Sequence, residues 1–174
     1  MAVLSEKAVN DGLTIRRAKS DDIPLLQAIV NASYSKYIDR IGKPPAPMLA
    51  DYAQLLTTRD IFVLETTSTP EGGEDVEGLV GSIVLGVDAE GDAVTVNNLV
   101  VEPAAQGRGY GRVLMDFAEE FARGKGLSCV SLYTNVKMHE NVGLYLKLGY
   151  VETERRTEDG YERVYFRKTL QRLL

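Results

Sequence analysis

Residues 97–127 read NNLVVEPAAQGRGYGRVLMDFAEEFARGKGL, and the reading of this stretch decides the fold. Its start belongs to a β-branched run, AVTVNNLVVEP (93–103), which Pro103 closes as a strand. From residue 112 to 123 the period changes to that of a helix, with Leu114, Phe117, Ala118 and Phe121 on one stripe. Gly124 and Gly126 stop that helix, and Arg123 and Lys125 suit the negative end of its dipole. Between strand and helix lies Gln106-Gly107-Arg108-Gly109-Tyr110-Gly111-Arg112. Glycines there admit positive φ and close approach of a ligand, while the free N–H groups of the helix start attract phosphate oxygens. Arg108 and Arg112 add charge-assisted donors. The turn is not a nucleotide P-loop, because no Gly-Lys-Ser/Thr follows four residues after a glycine. It also fails the dinucleotide fingerprint: Arg112 stands where the third glycine belongs, and LSCVS supplies no acidic residue for a ribose.

Working outward, LTIRRA (13–18) reads as a first strand. A helix follows, started by Ser20-Asp21-Asp22 and Pro24, with Ile23, Leu26, Ile29, Val30 and Tyr34 on one face. IGKPPAPM breaks the pattern with three prolines, and a second helix is expected over 47–56. IFVLET (61–66) and GLVGSIVLGV (78–87) are strands around an acidic, glycine-rich loop, STPEGGEDVE. After the central stretch come strand SCVSLYTN (128–135), a short helix over 140–147 ending at Gly149, and strands YVETERRT and YERVYFRKTL. Asp159-Gly160 joins the last two as a tight hairpin. The predicted order is β-α-α-β-β-β-α-β-α-β-β, an α/β fold around one mixed sheet: a tail over 1–12, then a single domain over 13–174.

Composition excludes several classes. The 174 residues carry 25 acidic and 20 basic side chains, a net charge of −5, and no basic stripe of the kind that binds nucleic acid. No apolar run is long enough to span a membrane, and MAVLSEKAVNDG lacks the features of a signal peptide. The single cysteine, Cys129, excludes an internal disulfide framework and suits a reducing compartment, so a cytoplasmic location is expected. Inside a strand it reads as a small buried hydrophobe.

Gln106, Gly109 and Gly111 match the Gln/Arg-x-x-Gly-x-Gly/Ala pattern of acyl-CoA pyrophosphate loops, and Asn141, Tyr145 and Gly149-Tyr150 follow at the matching distance. In both motifs the chain resembles the GCN5-related N-acetyltransferase (GNAT) superfamily, and the Ile-Gly-x-Pro-Pro-Ala-Pro-Met stretch is similar to that of small bacterial acetyltransferases. The resemblance implies the GNAT fold and acetyl transfer from acetyl-CoA to an amine, without a metal. It implies cofactor contacts from Leu99, Val100, Val101, Gln106, Gly107, Arg108, Gly109, Tyr110, Gly111, Arg112, Asn141 and Tyr145. A backbone N–H near Leu99 would stabilise the carbonyl oxygen, and Tyr145 would protonate the departing sulfur. Asn141 lies four residues before Tyr145, so the two share a helix face.

The proton acceptor is left open. Where many relatives carry a glutamate, this chain has Asn97-Asn98, so the alternatives are a water relay, an amine that arrives neutral, or His139, the one histidine. Tyr34, Tyr37, Met48, Tyr52 and Asn97 are the expected acceptor contacts, along with Ile38 and Pro47. The acidic balance leans toward a cationic acceptor, with Asp39 or Asp51 as candidate partners. A small-molecule amine is the expected acceptor; a protein lysine or N-terminus, and a non-catalytic acyl-CoA-binding module, are the alternatives. The last strand, with Tyr161, Tyr165 and Phe166, is expected at a sheet edge, compatible with a homodimer.

Overall fold

The computed structural model describes residues 6–10, 12–67 and 78–172; the loop expected over 68–77 lies outside the described residues. Strands β1 (Glu6–Asn10), β2 (Leu13–Arg17), β3 (Asp60–Thr66), β4 (Gly78–Val87), β5 (Val94–Val101), β6 (Cys129–Asn135), β7 (Val151–Glu158) and β8 (Tyr161–Thr169) form one sheet. Their order is β1-β2-β3-β4-β5-β6-β8-β7. All neighbours are antiparallel except β5 and β6. The helices are α1 (Ile23–Tyr34), the one-turn α2 (Ile38–Ile41), α3 (Tyr52–Thr58), α4 (Tyr110–Gly124) and α5 (His139–Lys147). None of them is long and apolar enough to cross a membrane.

Strands β3 and β4 are apolar at nearly every position because helices cover both faces of the sheet there. Phe62 and Leu64 join Leu114, Phe117, Ala118 and Phe121 in the core under α4. Ile61 and Val63 point the other way and pack with Leu26, Ile29, Val30 and Tyr34 of α1. The stripes read for both helices are therefore the core-facing ones, with Ile23 only partly buried. Phe62 meets Phe117 edge-on at 4.7 Å between ring centroids, an arrangement that the aromatic quadrupole favours.

Several elements differ from expectation. Part of the supposed tail, residues 6–10, forms β1, paired to β2 and tied to α4 by Lys7 Nζ donating to Glu120 at 2.6 Å. The single helix expected over 47–56 is a 3-10 turn (Ala46–Leu49) followed by α3, because the backbone extends at Ala50 and Asp51 restarts a helix by accepting from the Gln54 N–H at 3.1 Å. The last strand is not an edge. β8 inserts between β6 and β7, and β7, exposed along almost its whole length, takes the edge. The Asp159-Gly160 hairpin forms as read, with φ of 53° and 78° at its two central residues.

The break that matters for function is in β5. Val84 pairs with Asn98 and Leu85 with Val96, leaving Asn97 as a β-bulge. The extra residue reverses the alternation. Val94 and Val96 face the α4 core, whereas beyond the bulge Val100 faces the α1 core and Leu99 and Val101 turn toward α4. The pairing of β5 with β6 also stops here, covering only Val94–Val96 against Val130–Leu132. Both strands run on, to Val101 and to Asn135, so a wedge opens between them.

Candidate active site

The wedge exposes one edge of β5. Glu102 N donates to Val80 O at 2.8 Å, so the backbone groups of Val100 and Glu102 point to β4, and those of Leu99 and Val101 point into the wedge. Leu99 O accepts from the Tyr34 hydroxyl at 3.0 Å. Val101 O accepts from Ser33 Oγ at 2.8 Å and from Gln106 Nε2 at 3.0 Å. The N–H groups of Leu99 and Val101 face the same space as donors for a ligand. Gln106 thereby ties the glycine turn to the end of β5.

A groove of about 310 Å³ leads from this edge over the start of α4. Leu99, Val100, Val101, Gln106, Gly107, Gly109, Tyr110, Gly111, Arg112 and Asn141 all line it. Gly109 caps α4 with φ of 81°, and Gly107 has the same φ, a conformation that side chains resist. A Cβ on Gly111 would lie 3.7 Å from Leu144 and 3.9 Å from Leu99, filling space the groove now offers to a ligand. Unpaired N–H groups at the helix start, with Arg112 and Lys36 on the walls, suit a pyrophosphate joined to a slim pantetheine arm. Arg108 does not line the groove; its Nη1 is buried without a partner among the described residues. Tyr37, expected on the acceptor side, lines this groove instead. Arg40 clasps Glu140 with two hydrogen bonds, 2.9 and 3.1 Å, joining α2 to the start of α5 beside it. That bond holds the Glu140 carboxyl down to about 2.

On the other side of the bulge lies a cavity of about 250 Å³. It shares Tyr34, Leu99 and Asn141 with the groove, so the two spaces meet at these residues. Tyr145 stands on the cavity wall. Its ring is packed against Tyr150 and Phe166, and its hydroxyl has no hydrogen-bond partner among the described residues. Burial pushes its pKa well above the usual phenol value, with Tyr37 adding to the shift, so it holds its proton through the neutral range. Asn141 is not a helix cap: Met138 takes that position, and Asn141 Nδ2 reaches Thr134 Oγ1 at 3.5 Å.

Asn98 organises the rest of the wall. Its Oδ1 accepts from the Tyr34 hydroxyl at 2.8 Å, and its Nδ2 donates to the Tyr52 hydroxyl at 2.7 Å. The Tyr52 hydroxyl in turn reaches Pro47 O at 3.2 Å, which holds the proline stretch against the cavity. Burial raises Tyr34 strongly and Tyr52 to about 12, so both remain neutral. Tyr161 donates to Pro44 O at 2.6 Å and Lys43 Nζ to Gly160 O at 2.8 Å, closing the β7–β8 hairpin onto the same prolines.

Tyr34, Tyr52 and Asn97 line the cavity, and Pro47 with them; Met48 does not, being packed into the α1 core. His139 is exposed at the start of α5 and lines neither space. Asp39 and Asp51 are also absent from the cavity. No Asp, Glu or His is among its lining residues within the described chain, whereas Arg59 and Arg163 are, a charge opposite to that of the whole chain. Cys129 is buried and lies off both spaces. Sequence reasoning missed Asn98, Arg59, Tyr133, Thr134 and Arg163, which reach the cavity from separate strands and a helix end.

Residues 26–150 match the model of the acetyltransferase (GNAT) family. The chain belongs to this family. A mycothiol acetyltransferase from Nocardioides sp. is 29% identical over 170 residues, covering 93% of this chain and 58% of that protein. An IAA acetyltransferase from Azospirillum brasilense is 35% identical over 74 residues, 42% of this chain and 48% of that one. The chain thus spans about half the length of these curated relatives. Among solved structures, a GNAT family acetyltransferase from Elizabethkingia anophelis with acetyl-CoA bound superposes with a TM-score of 0.64 at 16% identity, over 92% of this chain and 100% of that one. The ribosomal-protein-S18-alanine N-acetyltransferase from Escherichia coli gives 0.67 at 20% identity, over 92% and 96%. These two likenesses speak to the fold.

Proposed function

We propose that the protein transfers the acetyl group of acetyl-CoA to the primary amine of a small molecule, by direct attack within a ternary complex. The observation that carries this reading is the junction: groove and cavity meet at Tyr34, Leu99 and Asn141, with the unpartnered Tyr145 hydroxyl on the cavity wall. A pantetheine arm in the groove would present its thioester there to an amine in the cavity. The Leu99 N–H faces the position where charge develops on the carbonyl oxygen. As the nitrogen–carbon bond forms and the carbon–sulfur bond breaks, the Tyr145 hydroxyl supplies a proton to the thiolate. A volume of about 250 Å³ suits a small acceptor rather than a folded protein surface.

With no carboxylate or imidazole among the described residues of the wall, the amine's surplus proton leaves to water, and water returns a proton to Tyr145. The amine therefore attacks in its neutral, nucleophilic form, without a side chain of the described wall to deprotonate it. The test is free-thiol release from acetyl-CoA against a panel of amines, amino acids and short peptides. The reading expects acceptor-dependent release with a small amine and an N-acetyl product by mass spectrometry. Release from peptides alone, or none with any amine, contradicts it.

A further inference from the structure

The charge inside the cavity runs opposite to the charge of the whole chain. Acidic side chains outnumber basic ones 25 to 20, yet among the described residues the cavity is lined by two arginines and no acid. The two arginines differ. Arg163 is already satisfied: it lies 3.0 Å from Glu158 and 3.7 Å from Asp159, and it stacks on Tyr133. Arg59 has no carboxylate at ion-pair distance among the described residues; its one hydrogen bond goes to its neighbour's carbonyl, Thr58 O, at 3.0 Å.

The sheet makes room for Arg59. At Gly86, on β4, a Cβ would lie 3.0 Å from Arg59 Cδ, 3.1 Å from Arg59 Nε and 3.1 Å from Asn97 Oδ1. Gly86 has an ordinary φ, so its missing side chain, rather than its backbone, is what the site uses. The arginine thus lies across β4 beside the bulge residue. Asn97 accepts from Thr95 Oγ1 at 3.4 Å, and its amide nitrogen is left without a partner among the described residues. Arg59 and Asn97 together offer a charged and a neutral donor. Asn97 sits two residues, about 7 Å of strand, from Leu99 at the junction.

We infer that the acceptor amine carries an anionic group, a carboxylate or a phosphate monoester, and that this group docks on Arg59 beside Asn97. The inference rests on the acetyl-transfer reading for the fate of the amine, but not for the binding of the anion. It makes Arg59 the residue that selects the acceptor, with Gly86 as the position that admits it.

The experiment is calorimetric titration of the full chain, saturated with CoA, with matched pairs: α-amino acids against their amides, and an amino-sugar phosphate against the free amino sugar. One anionic class is expected to bind roughly tenfold or more tighter than its neutral counterpart, as a charge-assisted pair allows. Arg59→Gln should erase that preference, and Gly86→Ala should weaken it by displacing the arginine. Preference for the amino acids identifies a carboxylate; preference for the sugar phosphate identifies a phosphate. Equal binding of neutral partners, a preference that survives Arg59→Gln, or no binding of any anionic member overturns the proposal. Arg59-dependent binding without thiol release would leave the anion site standing and remove the transfer reading. Release confined to neutral amines would do the reverse.

Discussion

At the scale of single residues, Tyr145 divides into two parts with separable consequences. The ring belongs to the core and the hydroxyl belongs to the cavity. Tyr145→Phe is therefore expected to leave stability within about 0.5 kcal/mol, since no hydrogen bond is lost, while lowering kcat about a hundredfold. Thermal melting and steady-state kinetics on the same preparation check this; an unchanged kcat would remove the acid role. The absence of a carboxylate or imidazole among the described residues of the wall makes a second prediction. The rise of kcat/KM with pH should follow the amine pKa of whichever acceptor is used, and should shift when the acceptor is changed. A limb that stays fixed near the ordinary histidine range across acceptors would point to an enzyme group instead. Asn141, Tyr145 and the glycines were legible because each belongs to a short local pattern. Arg59 and Asn98 were not. Arg59 reaches the cavity only because a different strand carries glycine at residue 86, and Asn98 gains its role from tyrosines on two helices. His139 drew notice for its chemistry, yet one position in a helix start turned it to solvent.

Two glycine substitutions separate the elements. Gly109 caps α4 at φ of 81°, so Gly109→Ala should cost about 1–2 kcal/mol and raise the KM for acetyl-CoA. Gly86→Ala meets only the far part of a flexible side chain and an amide, so its effect should fall on the acceptor KM with a small change in melting temperature. A kinetic comparison of the two variants reads out whether groove and cavity are built by different elements; identical profiles would contradict that. The glycine turn, α4 and the long buried strands were plain in the sequence, because period and punctuation mark them. Strand β1 was not, since EKAVN has only Val9 as a clear inward apolar residue and gains its order by pairing with β2. The insertion of β8 between β6 and β7 was equally silent. It is a choice among distant partners, and no local pattern records it.

For the molecule as a whole, buried phenols set the alkaline limit. Burial raises Tyr34, Tyr37, Tyr52, Tyr145 and Tyr150 above the usual phenol value. Unfolding exposes them, and above about pH 10 the unfolded chain then holds fewer protons than the folded one. Their contribution is complete below that pH and is lost as pH rises through the folded values. The melting temperature should drop steeply above about pH 10, with phenolate absorbance appearing together with loss of helix. Ionisation of more than four of the nine tyrosines while the helix signal is intact would refute the assignment. The bulge at Asn97 has a consequence for how such a chain diversifies. One peptide unit of surplus length reverses the alternation of β5 and leaves β6 behind. Point changes around it alter the side chains that line the cavity, but none removes the surplus unit. Without that single unit Val96 and Asn98 would follow one another opposite Leu85 and Val84, and β5 would pair with β4 without a break. A one-codon deletion at this place would therefore do what no substitution can: restore an unbroken ladder between β4 and β5.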